Sequence, residues 1–219
     1  MKLFELSRSP RREAQEPFLK TVYLPVQLGR IQWVSFVLTS GAMFGKDVTP
    51  ELIGLWVTAL KEIRQRHPDK ILAFWTDSGL GRVSKFSQDH EALLKGVRDY
   101  ADFVMPEIYY QEKDAPDFKT NPAPFSGFRE KVEEWEAQAP GISPKILMGL
   151  GTVQNADWGY DNSADVDYAE FLAKQVEICA TDPVLKGMAG LAIYAPGYLK
   201  PDTLSKLNEA IVKHYGLAR

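Results

Sequence analysis

The sequence predicts an α/β protein built on a parallel sheet, and three observations carry the prediction. Apolar, β-branched runs alternate with segments of helical periodicity along the chain. The runs are near-continuous in apolar residues, as strands are when helices cover a parallel sheet. Polar and aromatic residues gather where the runs end, the edge at which parallel α/β folds build their sites. The expected architecture is a parallel (β/α) barrel of TIM type, incomplete, with five to six βα units. The alternative is an open doubly wound parallel sheet.

The elements follow in order. TVYLPV (21–26) is expected to add a strand ahead of the regular units, and residues 1–20 form an N-terminal segment. IQWVSFVLTSG (31–41) is a strand ending in Ser-Gly. In residues 49–68, Thr49 can cap a helix, Pro50 suits its first position, and Leu52, Trp56, Leu60 and Ile63 fall on one face. KILAFWTDSG (70–79) is the next strand, and Ser87 opens a helix with Leu93, Leu94, Val97 and Tyr100 as its stripe. FVMPEIYYQ (103–111) follows as a strand, then a helix carrying Phe125, Phe128, Val132 and Trp135. KILMGLGTV (145–153) is a strand, and residues 165–180 are a helix with Asp165 as its cap. GMAGLAIYAPG (187–197) is the last strand, and the final helix stops at Gly216. No linker divides residues 21–219, so they form a single domain.

Composition bounds the function. The chain has 219 residues, 45% hydrophobic and 25% charged, which suits one soluble globular domain. A net charge of −3 without a dense Lys/Arg face argues against nucleic acid as the partner. No window approaches the roughly 20 apolar residues of a membrane span, so no membrane partner is expected. The N-terminus has charges but no apolar core of a secretory signal. That leaves a cytoplasmic protein or a trimmed form of an exported one. One cysteine, Cys179, excludes an internal disulfide, and with three histidines it makes no zinc set. No metal or cofactor is expected.

Length favours an open sheet, since a full barrel takes about 250 residues. Against that, the first turn, TSGAMFGKD, has Gly41 and Gly45 but no phosphate-binding glycine pattern. A nucleotide-binding sheet is therefore the weaker expectation.

Glu107 stands out because apolar and aromatic residues flank it on both sides in FVMPEIYYQ. A charge is costly to bury without a partner. Alternation puts Met105, Glu107 and Tyr109 on one face of the strand, and Val104, Ile108 and Tyr110 on the other. Pro106 lacks an N–H and interrupts the ladder, which leaves Glu107 at the strand's C-terminal end. Asp77 ends its strand in the same way, in line with Trp75. Two carboxylates at one mouth are the machinery of glycoside hydrolysis, in which one protonates the leaving oxygen and the other attacks or activates water. The bland alternatives are a structural ion pair for Glu107 and turn chemistry for Asp77. Aromatic faces stack on sugar rings, so Trp75, Tyr109, Tyr110, Trp158 and Tyr194 are the expected substrate-binding residues, with Gln154 from the long loop 152–167. The acids of that loop lack the order of a calcium-binding loop.

DFVMPEIYYQ, PKILMGLGTV and GMAGLAIYAPGYL together resemble the last three strands of glycoside-hydrolase-type (β/α) barrels, broadly the chitinase-like group. The matching features are Met105 to Tyr109, Leu150-Gly151, and Gly190 to Tyr194. The resemblance implies a TIM-type barrel and a glycosidase acting on an oligo- or polysaccharide. The chain departs from the group in lacking its DxxDxDxE motif, so Glu107 does not inherit that motif's acid by alignment. A non-catalytic glycan-binding or scaffold protein on a degenerate barrel is the competing expectation. An open sheet edge would invite homo-oligomers.

Overall fold

The computed structural model of the chain describes residues 33–37, 49–77, 87–110, 117–121, 125–151, 167–194 and 199–216. Residues 1–20 and the strand expected at 21–26 lie outside the described residues. The described elements run β1 (Trp33–Val37), α1 (Pro50–Arg66), β2 (Ile71–Asp77), α2 (Ser87–Tyr100), β3 (Phe103–Glu107), α3 (Ser126–Gln138), β4 (Leu147–Gly151), α4 (Tyr168–Thr181), β5 (Gly190–Tyr194) and α5 (Pro201–Tyr215). Short 3₁₀ turns at Ser143–Lys145 and Leu185–Gly187 lead into β4 and β5.

The described strands are all parallel, in the order β1-β2-β3-β4-β5. The barrel expected from the sequence is overturned. Closure needs the first and last strands to pair, yet among the described residues β1 pairs with β2 and β5 with β4. The sheet also falls into two parts. The β1-β2-β3 part meets β4-β5 through a single register pair, Glu107↔Gly149, and one isolated bridge, Val104↔Ile146. Pro106 explains part of this narrow seam, because it has no N–H to give. The doubly wound alternative fails too. It requires a reversal in strand order and helices on both faces, whereas this order is strictly sequential.

One face of the sheet carries the helices. Leu72, Phe74, Val104, Ile146, Met148 and Leu150 share one buried cluster with residues of every helix. From α1 come Ile53, Trp56 and Leu60, spaced three and four apart, and from α2 Leu93 and Leu94 with Val97 four and three residues on, as a helical stripe requires. From α3 come Phe128, Val132 and Trp135, from α4 Phe171, Leu172 and Val176, and from α5 Leu207 and Ala210. Each large side chain fully buried here contributes about 1.5–3 kcal/mol.

Polar groups tie the N-terminal edge of the sheet. The Arg64 side chain donates to the carbonyls of Tyr100 (2.9 Å) and Lys70 (3.0 Å) and pairs with Asp102. Asp102 Oδ2 also accepts from the backbone N–H of Leu72 at 2.7 Å. Lys145 Nζ donates to the carbonyls of Ala101 (2.6 Å) and Arg98 at the end of α2. Cations therefore sit where the helix leaves unpaired carbonyls.

Candidate active site

The site is built on the last residues of β2 and β3. Register pairs Trp75 with Met105, Thr76 with Pro106, and Asp77 with Glu107. On its other side Glu107 pairs with Gly149, which pairs in turn with Ala192. One row thus crosses four strands: Asp77, Glu107, Gly149, Ala192. Neighbouring strands lie about 4.8 Å apart, so the two acidic positions are next neighbours across the ladder. Tyr194 is opposite Gly151, one pleat farther along and two strands away from Glu107. Gln154 and Trp158 lie outside the described residues.

The alternation predicted for β3 is visible in the packing. Val104 is fully buried among the helices, and Ile108 and Tyr110 pack against the same core. In β2, Leu72 and Phe74 do the same, while Trp75 is half-buried and stays out of that cluster. Trp75 Nε1 and the Tyr109 hydroxyl oxygen are both buried atoms.

Tyr110 does not join Tyr109. Its ring meets Phe125 and Phe128 edge-on, with centroids 5.0 and 4.8 Å away. Its oxygen faces the backbone N–H groups of Phe128 and Gly127 in the first turn of α3. Burial pushes the phenol pKa well above its ordinary value, more than those N–H groups lower it. Tyr110 is thus a neutral, helix-side residue, apart from Trp75 and Tyr109.

Two residues that sequence reasoning did not single out shape the site. A methyl at Gly149 would come within 2.7 Å of the Pro106 carbonyl oxygen and 3.5 Å of the Tyr109 ring. A methyl at Gly127 would come within 2.7 Å of the Tyr110 hydroxyl oxygen. The available signal was glycine inside a strand, which marks a close approach of backbone. Gly127 gave no signal, because a glycine near a helix start is unremarkable.

Among the described residues, no cluster of three or more His, Cys, Asp or Glu could hold a metal ion. No helix there is long and apolar enough to cross a membrane. An open groove of about 450 Å³ lies between α4 and α5, on the helix layer. Its lysines are largely matched by acids, Lys119 with Glu170 and Lys174 with Glu177 among them.

No protein-family model matches the chain, no curated protein matches it, and no solved structure matches it.

Proposed function

We propose that the chain is a glycoside hydrolase that cleaves an oligo- or polysaccharide by carboxylate chemistry, with Glu107 as acid/base and Asp77 as the second carboxylate. The observation that carries the proposal is the register pair Asp77↔Glu107 at the C-terminal ends of adjacent parallel strands. Carboxyl groups about 5–5.5 Å apart suit the retaining mechanism, and about 6.5–9.5 Å the inverting one. The backbone positions of Asp77 and Glu107 are adjacent across the ladder, with strands about 4.8 Å apart, and adjacency suits the closer arrangement. Retention is therefore the version proposed.

In the first step Glu107 gives its proton to the glycosidic oxygen as the C–O bond breaks. Asp77 attacks the anomeric carbon and forms an ester. Water then attacks that carbon, Glu107 takes the proton, and the ester bond to Asp77 breaks. The first step needs Glu107 protonated and Asp77 charged. The half-buried rings of Trp75 and Tyr109 supply apolar faces for a sugar.

The test is a polysaccharide panel read by new reducing ends, with Glu107→Gln as the control and product anomers followed by NMR. Turnover that is lost in Glu107→Gln, with retained configuration, supports the proposal. Inverted products would sink the assignment of Asp77 as nucleophile. Saccharide binding without turnover in the wild type would replace the hydrolase with a glycan-binding protein.

A further inference from the structure

We infer that Tyr109 and Tyr110 clamp the end of β3 from both sides of the sheet, each seated on a glycine, and so act as positioning residues for Glu107. The inference rests on the proposed role of Glu107, but its structural part can be tested separately.

Three observations carry it. First, β3 meets β4 at one register pair, Glu107↔Gly149, beside one isolated bridge, and Pro106 donates nothing to that seam. Pairing on the β4 side is sparse, so side-chain packing adds to what holds this end. Second, the tandem tyrosines follow Glu107 by two and three residues and go to opposite sides. Tyr109 lies against Gly149 on β4, the register partner of Glu107 itself. Tyr110 lies against Gly127 in the first turn of α3. Third, the seats are close-fitting. The methyl that any other residue would bring comes within 2.7 Å of the Tyr110 oxygen at one seat and of the Pro106 carbonyl at the other. Tyr110 has little freedom to swing aside, because Phe125 and Phe128 hold its ring edge-on.

Gly127→Ala in the full chain is the discriminating variant. Helix propensity alone makes alanine the better residue inside a helix, so a glycine with no special role should melt higher when replaced. The clamp predicts the opposite sign: Gly127→Ala melts lower than wild type. In a Tyr110→Leu background the same substitution should raise the melting point, because the oxygen it would meet is gone. An equal rise in both backgrounds would overturn the clamp.

Positioning is read separately. The Glu107 carboxyl, followed by carbon-13 NMR, should titrate at a different pH in Gly127→Ala than in wild type. On a saccharide that the wild type cleaves, kcat should fall at least tenfold with KM within threefold. An unchanged titration would leave the clamp without any role at Glu107. If the wild type cleaves nothing in the panel, the proposed function fails, while the melting cycle and the titration still decide the clamp. If Gly127→Ala does not fold, Tyr110→Phe/Gly127→Ala removes only the atom in the way. That double variant should fold, and its failure would count against the clamp.

Discussion

At the scale of single residues, Glu107 is the position to test first. Glu107→Gln keeps shape and some hydrogen bonding but cannot exchange a proton. A general acid contributes about 10²–10⁴-fold in rate, so a loss of that size at an unchanged melting point is expected. A lower melting point with unchanged turnover per folded molecule would mark a structural carboxylate instead. A second acid has a role that is legible only in the structure. Glu136, at the end of α3, accepts from the backbone N–H groups of Gly141 (2.6 Å) and Ser143 (3.0 Å) and from the Ser143 hydroxyl (2.6 Å). Burial pushes its pKa up, but hydrogen bonds from Ser143, Gly141 and Ile142 outweigh this and hold the carboxyl below its ordinary 4.5. A folded-state value below the unfolded one means stability that is fully present above about pH 4.5 and lost as pH falls through the lowered value. Glu136→Gln should therefore melt below wild type at neutral pH, with the gap closing in acid. A gap that widens in acid would reverse the sign of the argument. Cys179 is buried, and burial pushes its thiol up to about 12, so it is no nucleophile.

At the scale of elements, much of the chain was legible because periodicity reports burial directly. The sequence marks Leu93, Leu94, Val97 and Tyr100 as one stripe of α2, of which the first three are fully buried and Tyr100 is half-buried against the same core. Phe125, Phe128, Val132 and Trp135 are all buried as well. Ends were harder to read, because a cap depends on one hydrogen bond rather than a repeating pattern. Asp165 was the expected cap of α4. The cap is Asp167, which accepts from Ala169 N–H (2.9 Å) and Glu170 N–H (3.3 Å) and pairs with Lys206 at 3.2 Å. Asp167→Ala should cost about 1 kcal/mol, the usual worth of an N-cap, read by denaturant titration. A change below a few tenths would show that water replaces the cap without loss. The stop at Gly216 was read correctly: it ends α5 with φ +61°, and nothing lies within 4 Å of where a Cβ would go. Any cost of Gly216→Ala is thus backbone strain alone. A left-handed alanine costs about 1–2 kcal/mol, and each kcal/mol lowers the melting point of a chain this size by about 2–4 °C.

At the scale of the whole molecule, the sequence was misleading, for a physical reason. Strand alternation and strand ends look the same in a barrel, a doubly wound sheet and a singly wound open sheet. Closure and strand order depend on pairings between distant residues, which leave no local pattern. The two-part sheet could not be read from Pro106 alone, although that residue contributes to it. The Arg64–Asp102 pair was likewise invisible, since 38 positions separate its partners. It joins α1 to the β2-β3 side of the fold, and Asp102→Ala removes the acceptor of Arg64 Nη2 and of the Leu72 N–H, while Arg64 keeps its bonds to the Tyr100 and Lys70 carbonyls. Leaving such donors unmatched costs about 1–3 kcal/mol. Chemical unfolding should show that loss with an unchanged denaturant slope, and a changed slope would mean that the two parts of the sheet had come apart.

The sequential order of the strands has a consequence for how the protein is made. Each strand after β1 takes its place beside the one synthesised just before it. Among the described strands, none has to wait for a gap to be filled by one made later. Bringing Asp77 and Glu107 together needs only β2 and β3, and no strand later in the chain. Translation speed across residues 111–146 then sets how long this half-built sheet waits with its β3 edge open, and a pause there is where association between unfinished chains would be concentrated.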